Sequence, residues 1–208
     1  MKKIVFLSIA LVLLMACNKN ENPLLVEQDT PFGVPAFDKV KIEHYMPAFK
    51  AAIAANEAEI DAIVNNPEAP TFANTIEALD RSGELLDKVV GVFFNVLEAD
   101  GNDEMNKIAE EVTPLLSALS DGIILNDKLF QRVKAVYEQR EELGLNDEQM
   151  RLLTETFKSF ANNGANLPED KKARLKEINQ ELGLLSLQFG NNVVAETNAY
   201  QLFITDEA

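Results

Sequence analysis

Few residues in this chain are equipped for catalysis, and their spacing narrows the choice further. There is one histidine, His44, and one cysteine, Cys17. An HExxH helix needs two histidines one turn apart with a glutamate between them, so one histidine cannot build it. No cysteine cluster, phosphate-cradling glycine loop or dinucleotide fingerprint occurs. His44 stands beside Tyr45, just ahead of the first predicted helix. It offers a general base, or a capping or packing residue near the helix start, and without an identifiable partner the capping or packing role is the expectation. Glu57 and Asp61 lie four apart on one helical face, and Glu77, Asp80 and Glu84 repeat that kind of spacing. Paired carboxylates can do acid–base work or hold a metal. These interleave with apolar stripes, which places them on a solvated face. Asp100, Asn102, Glu104, Asn106 and Glu111 match positions 1, 3, 5, 7 and 12 of a calcium loop. Position 6 of that loop must be glycine, and here it is Met105. The expectation is therefore no catalytic and no metal-binding residue in this chain.

Cys17 is different, because its surroundings supply a chemistry. Lys2 and Lys3 precede an apolar run from Ile4 to Met15, interrupted only by Ser8. A bilayer-spanning helix needs about 20 residues, so this run fits the apolar core of an export signal instead. It ends Leu14-Met15-Ala16-Cys17. A small residue followed by cysteine at that place is the pattern of a bacterial lipoprotein leader, in which the thiol takes a diacylglyceryl group and becomes the new N-terminus. Two or more acyl chains anchor stably where one does not. The reading is residues 1–16 as lipoprotein signal, lipidation at Cys17, and a location in the cell envelope, on the periplasmic face or outer membrane. An ordinary secretory signal with an incidental cysteine is the plainer alternative. With a single cysteine no intramolecular disulfide forms. The net charge is −15 at pH 7, and losing Lys2 and Lys3 makes it more negative. Such a surface disfavours nucleic acid and anionic lipid, which leaves the acyl chains as the membrane contact.

The elements that follow are helical almost throughout. Residues 17–40 read as tether and extended arm, with Pro23, Pro31, Gly33 and Pro35. Residues 41–208 read as one helical domain. A first helix is predicted from about Pro47, with Phe49, Ile53, Ile60 and Val64 on one face. A second, long one spans about Thr71 to Leu97, with Thr71 or an Asn74–Glu77 box as its cap. Gly83 lies inside it, at a cost of about 1 kcal/mol relative to alanine. A turn over Ala99 to Asp103 leads to a third helix with Ile108, Val112, Leu115 and Leu119 inward and a kink expected at Pro114. Asn126 or Asp127 opens a fourth and Gly144 stops it. Asn146 opens a fifth, which closes near Gly164. Pro168 opens a sixth that runs to about Thr197, with Leu175, Ile178, Leu182, Leu185, Phe189 and Val193 read as its inward stripe. Phe93, Phe94, Phe157, Phe160 and Phe189 follow these stripes and are read as core. Tyr200 to Thr205 reads as a short strand without a partner, an arrangement natural for a chain that continues into a larger protein.

Four segments carry a family resemblance. Pro31-Phe32-Gly33-Val34-Pro35-Ala36-Phe37-Asp38 followed by His44-Tyr45-Met46-Pro47-Ala48-Phe49 is one. Asn66-Pro67-Glu68-Ala69-Pro70-Thr71-Phe72-Ala73-Asn74-Thr75-Ile76-Glu77-Ala78-Leu79 is the strongest. Ile123 to Val133 and Arg151 to Leu167 complete the set, in the family's order. Together they resemble the N-terminal region of the thimet oligopeptidase family of zinc metallopeptidases, in its bacterial peptidyl-dipeptidase branch. The resemblance implies an all-α, neurolysin-like domain with a short C-terminal strand. It further implies a channel that admits short peptides, release of dipeptides from peptide C-termini, and zinc held by an HExxH helix and a further glutamate. In that family the N-terminal helices wall the channel and do not bind the zinc. These 208 residues contain no HExxH, so zinc is expected only in a longer protein and the chain alone is expected to be inactive. The competing expectation is a stand-alone helical envelope lipoprotein that binds peptides or a partner protein. An in-frame HExxH beyond codon 208 separates the two.

Overall fold

Most of the long helices begin at a side chain that accepts a free backbone N–H at the helix start. The computed structural model describes residues 21–27 and 29–203, and the elements below are those of the described residues. Helix α1 (Ile42–Val64) starts where the Lys41 N–H donates to His44 Nδ1 at 3.0 Å. It begins before Pro47, where the sequence pattern placed the start. The cap from His44 and a tie from Asn22 Nδ2 to the His44 carbonyl (2.7 Å) secure the extra residues. A wide π-type turn, Phe72–Glu77, runs into α2 (Ala78–Arg81). Its cap is Thr71: Asn74 N–H donates to Thr71 Oγ1 at 3.1 Å, and Thr71 N–H donates back to Asn74 Oδ1 at 2.8 Å. Helix α3 covers Glu84–Asp100. Asn102 caps α4 (Asp103–Ile124), Asn126 caps α5 (Asp127–Glu138) and Asn146 caps α6 (Asp147–Asn162), each accepting one or two first-turn N–H groups. Helix α7 (Glu169–Ala199) follows Pro168.

The long second helix expected from Thr71 to Leu97 is in fact two. Gly83 breaks it in the left-handed region at φ +85°, a conformation that costs a side chain about 1–2 kcal/mol. The break lets α1 come close. A Cβ on Gly83 would stand 3.2 Å from Asn56 Nδ2. The Gly83 N–H donates to Glu59 Oε2 at 2.7 Å. Gly164, at φ +100°, ends α6 in the same way, and a Cβ there would meet Leu175 at 2.6 Å.

Two apolar cores form, and α1 belongs to both. Its first half packs Tyr45, Phe49 and Ala52 against Val89, Phe93, Ala109 and Val112 of α3 and α4. The rings meet edge to face, Tyr45 on Phe93 at 4.9 Å and Phe49 on Phe93 at 5.2 Å. The buried Leu24 of the arm joins this core. The second half of α1 sends Ile60 and Ile63 into the other core, with Phe72, Ile76, Leu129, Val133, Leu153 and Phe160. Tyr137 stacks on Phe157 at 4.0 Å there. Burying such rings contributes about 1.5–3 kcal/mol each, so these contacts hold the bundle without any cross-link.

The chain is all-α as the pattern predicted; Leu115 of α4, expected inward, is 41% exposed, and two larger corrections follow. Tyr200–Phe203 form no strand, and no strand is present among the described residues. A strand needs a ladder partner for its N–H and C=O groups, and no second extended segment is available. The remainder of that predicted strand, residues 204 and 205, lies outside the described residues. The second correction concerns α7. Ile178, Leu182, Leu185, Phe189 and Val193 form the expected stripe, but all are exposed. Nothing described packs on that side.

Candidate functional site

The residues singled out for chemistry do not assemble. His44 Nδ1 is occupied by the Lys41 N–H, so the histidine caps a helix. Glu57, Asp61, Asp80 and Glu84 are exposed on helix surfaces, and Glu77 is half-buried. The calcium-loop frame does not form, because α4 already begins at Asp103 and Asn102 Oδ1 accepts the N–H groups of Glu104 and Met105. Among the described residues no three His, Cys, Asp or Glu side chains gather as metal ligands. Phe93 and Phe160 are buried and Phe94 and Phe157 half-buried, as their stripes required, whereas Phe189 is 71% exposed. Cys17 lies outside the described residues.

Three buried polar side chains escaped the sequence reading. Arg132 on α5 is 9% exposed. Its Nη1 donates to the carbonyls of Asn66 (3.1 Å) and Glu68 (3.2 Å), and its Nη2 to Asn74 Oδ1 (3.2 Å). One guanidinium thereby fixes the Asn–Pro–Glu loop onto the capped π-type turn, a use of its planar fork of donors. Lys172 on α7 is 3% exposed and donates to the Leu125 carbonyl at 3.2 Å and to Asp127, with Glu169 a further 3.5 Å away. Burial lowers the lysine pKa, but the hydrogen bond and charge of Asp127, helped by Glu169, outweigh it, and the net pKa lies above the ordinary 10.5. Asp121 on α4 is 7% exposed and accepts from Asn179 Nδ2 at 2.6 Å. Apart from the Lys172–Glu169 pair, which is three residues apart, each contact joins residues 45 to 66 positions apart, so no local pattern announces it.

Two clefts open beside α7. One, of about 570 Å³, has Asp121 and Asn179 in its wall and Ser159, Asn162 and Asn166 around it. A larger one, of about 910 Å³, lies between the end of α3 (Leu97, Asp100) and the last turns of α7 (Leu187, Gly190, Val194). Neither combines a nucleophile with a base or a set of metal ligands. What the arrangement offers is grooves between packed helices.

No protein-family model matches the chain. Comparison with curated proteins is decisive by contrast. The chain is 44% identical over 185 residues to the dipeptidyl carboxypeptidase of Salmonella typhimurium and 41% identical over 187 residues to that of Escherichia coli. Its homologues are peptidases of the thimet oligopeptidase family. Oligopeptidase A of Salmonella typhimurium is a more distant relative, 27% identical over 187 residues. These matches cover 89–90% of the chain but only 27–28% of the relatives. The chain thus spans little more than a quarter of the length of the oligopeptidase relatives it matches. The family resemblance carried by the Asn66–Leu79 segment and its companions holds across the matched length.

Proposed function

We propose that this chain is the channel-wall portion of a lipid-anchored zinc peptidyl-dipeptidase, which removes dipeptides from the C-termini of short peptides, and that the 208 residues alone are inactive. The observation that carries this reading is the 44% and 41% identity to two dipeptidyl carboxypeptidases over about nine-tenths of the chain. The structure's part is positional. Two packed cores and the Arg132-pinned loop make a stiff helical wall, and stiffness is what a passage that excludes folded proteins needs. Zinc does not fit the residues present. His44 is the sole histidine of the sequence, and its Nδ1 already accepts the Lys41 N–H. The metal and the peptide-cleaving step therefore belong to polypeptide beyond the matched segment. The anchor rests on Cys17 and the apolar run before it, and it puts the protein at the cell envelope with the acyl chains as its membrane contact.

Two measurements test this. Reading the gene past codon 208 should reveal an in-frame HExxH, and a stop codon there would favour the stand-alone lipoprotein. The purified 208-residue chain should release no dipeptide from a blocked tripeptide or longer substrate and should bind zinc in no fixed ratio. Stoichiometric zinc with peptidase activity would overturn the proposal.

A further inference from the structure

Helix α7 has two unlike sides. Toward α4 it presents Lys172, Leu175, Asn179, Gly183 and Leu187. Lys172 reaches the Leu125 carbonyl, Asn179 reaches Asp121, Gly183 comes within 3.2 Å of Thr113 (measured from a Cβ built on the glycine), and Leu187 packs on the first core. The other side carries Ile178, Leu182, Leu185, Phe189 and Val193 at steps of three and four, all exposed, with Leu182 at 58% and Phe189 at 71%. From Leu182 to Ala195 the helix bears no Asp, Glu, Lys or Arg, in a chain that is 25% charged. The exposed Tyr200, Leu202 and Phe203 extend the apolar surface, and the 910 Å³ cleft opens along the same turns.

A helix that carries a second, apolar line away from its packed side and no charge from Leu182 to Ala195 reads as covered on both sides. Contiguous apolar surface of this kind marks a contact surface. We propose that the Ile178–Val193 line of α7, with the adjoining cleft, is a docking face for the polypeptide by which the relatives exceed this chain. The proposal rests on the reading of the chain as part of a longer peptidase. Two observations select that occupant. The matched relatives are more than three times as long as the matched segment. A second copy is disfavoured because each chain carries a net charge of −15, and like-charged molecules repel.

The test compares the wild-type face with the double substitution Leu185→Ser, Phe189→Ser in two settings. In the 208-residue chain the substitutions should leave the melting midpoint within about 2 °C, since exposed side chains contribute little, and should lower the fluorescence of an apolar-surface dye several-fold. In the second setting, residues 22–208 replace the aligned segment of the Salmonella typhimurium dipeptidyl carboxypeptidase. That graft should be monomeric, melt in one transition and bind little dye. The same substitutions should lower its midpoint by more than 5 °C. Three results overturn the proposal: a dimer of the 208-residue chain that the substitutions dissolve, a large drop in the midpoint of the isolated chain, or a graft that fails to fold or ignores the substitutions. Dipeptide release by the graft is scored separately. A well-folded, dye-silent but inactive graft counts against the peptidase reading alone, and an active graft that ignores the substitutions counts against the docking face alone.

Discussion

Replacing Gly83 by alanine separates two descriptions of the same segment by sign. Were Gly83 inside a continuous helix, alanine would stabilise the protein by about 1 kcal/mol. In the structure Gly83 is at φ +85° between α2 and α3. Forcing a Cβ into that region costs about 1–2 kcal/mol. The new methyl would also stand 3.2 Å from Asn56 Nδ2. Asn56 is 5% exposed and cannot easily turn away. Displacing it strains the contact with Glu59 Oε2, which accepts from both Asn56 Nδ2 and the Gly83 N–H. A displaced hydrogen bond adds about 0.5–1.5 kcal/mol. The sum is a loss of about 1.5–3.5 kcal/mol. For a domain of this size each kcal/mol moves the midpoint by about 2–4 °C, so Gly83→Ala should melt roughly 3–14 °C lower than wild type. Far-ultraviolet circular dichroism during thermal and urea unfolding reads it directly. An unchanged or raised midpoint would refute the break and restore the continuous helix.

Further expectations concern the buried cations, the core and the anchor. Arg132→Met removes three donors from the Asn66, Glu68 and Asn74 acceptors and should cost about 2–4 kcal/mol; proteolysis should then cut first within residues 65–71, and cleavage elsewhere would count against the pinning role. Lys172 has a pKa raised above 10.5 in the folded state. Its charge therefore contributes stability that is complete below pH 10.5 and declines as pH rises through the folded value. The stability difference between wild type and Lys172→Met, from urea titrations, should be flat from pH 8 to about 10 and shrink above about 10.5; a difference that grows above that pH contradicts the ion pair. Phe49→Ala should cost about 3–5 kcal/mol and Phe189→Ala less than about 1 kcal/mol in the isolated chain, so equal losses would mean that α7 is packed on both sides. Cys17→Ser should abolish incorporation of labelled fatty acid and release the protein from the membrane fraction; membrane retention without the thiol would dismiss the lipid anchor.

Sequence by itself settled what depends on neighbours along the chain. Helices show in the recurrence of apolar residues at three and four positions. Their starts show in Thr71, Asn126 and Asn146, because a cap acts within its own first turn. That a single histidine cannot supply the two of an HExxH helix was likewise legible. The family resemblance showed in short segments such as Asn66–Leu79, whose turn and cap are set by residues close along the chain. Tertiary structure decided the rest. It split the helix at Gly83, because only the approach of Asn56 and Glu59 makes a left-handed turn worth its cost there. It buried Arg132, Lys172 and Asp121, whose hydrogen-bond partners lie 45 to 66 residues away. It also turned the apolar line of α7 outward. Periodicity shows that a face will be covered, and only packing shows by what; here nothing among the described residues covers it.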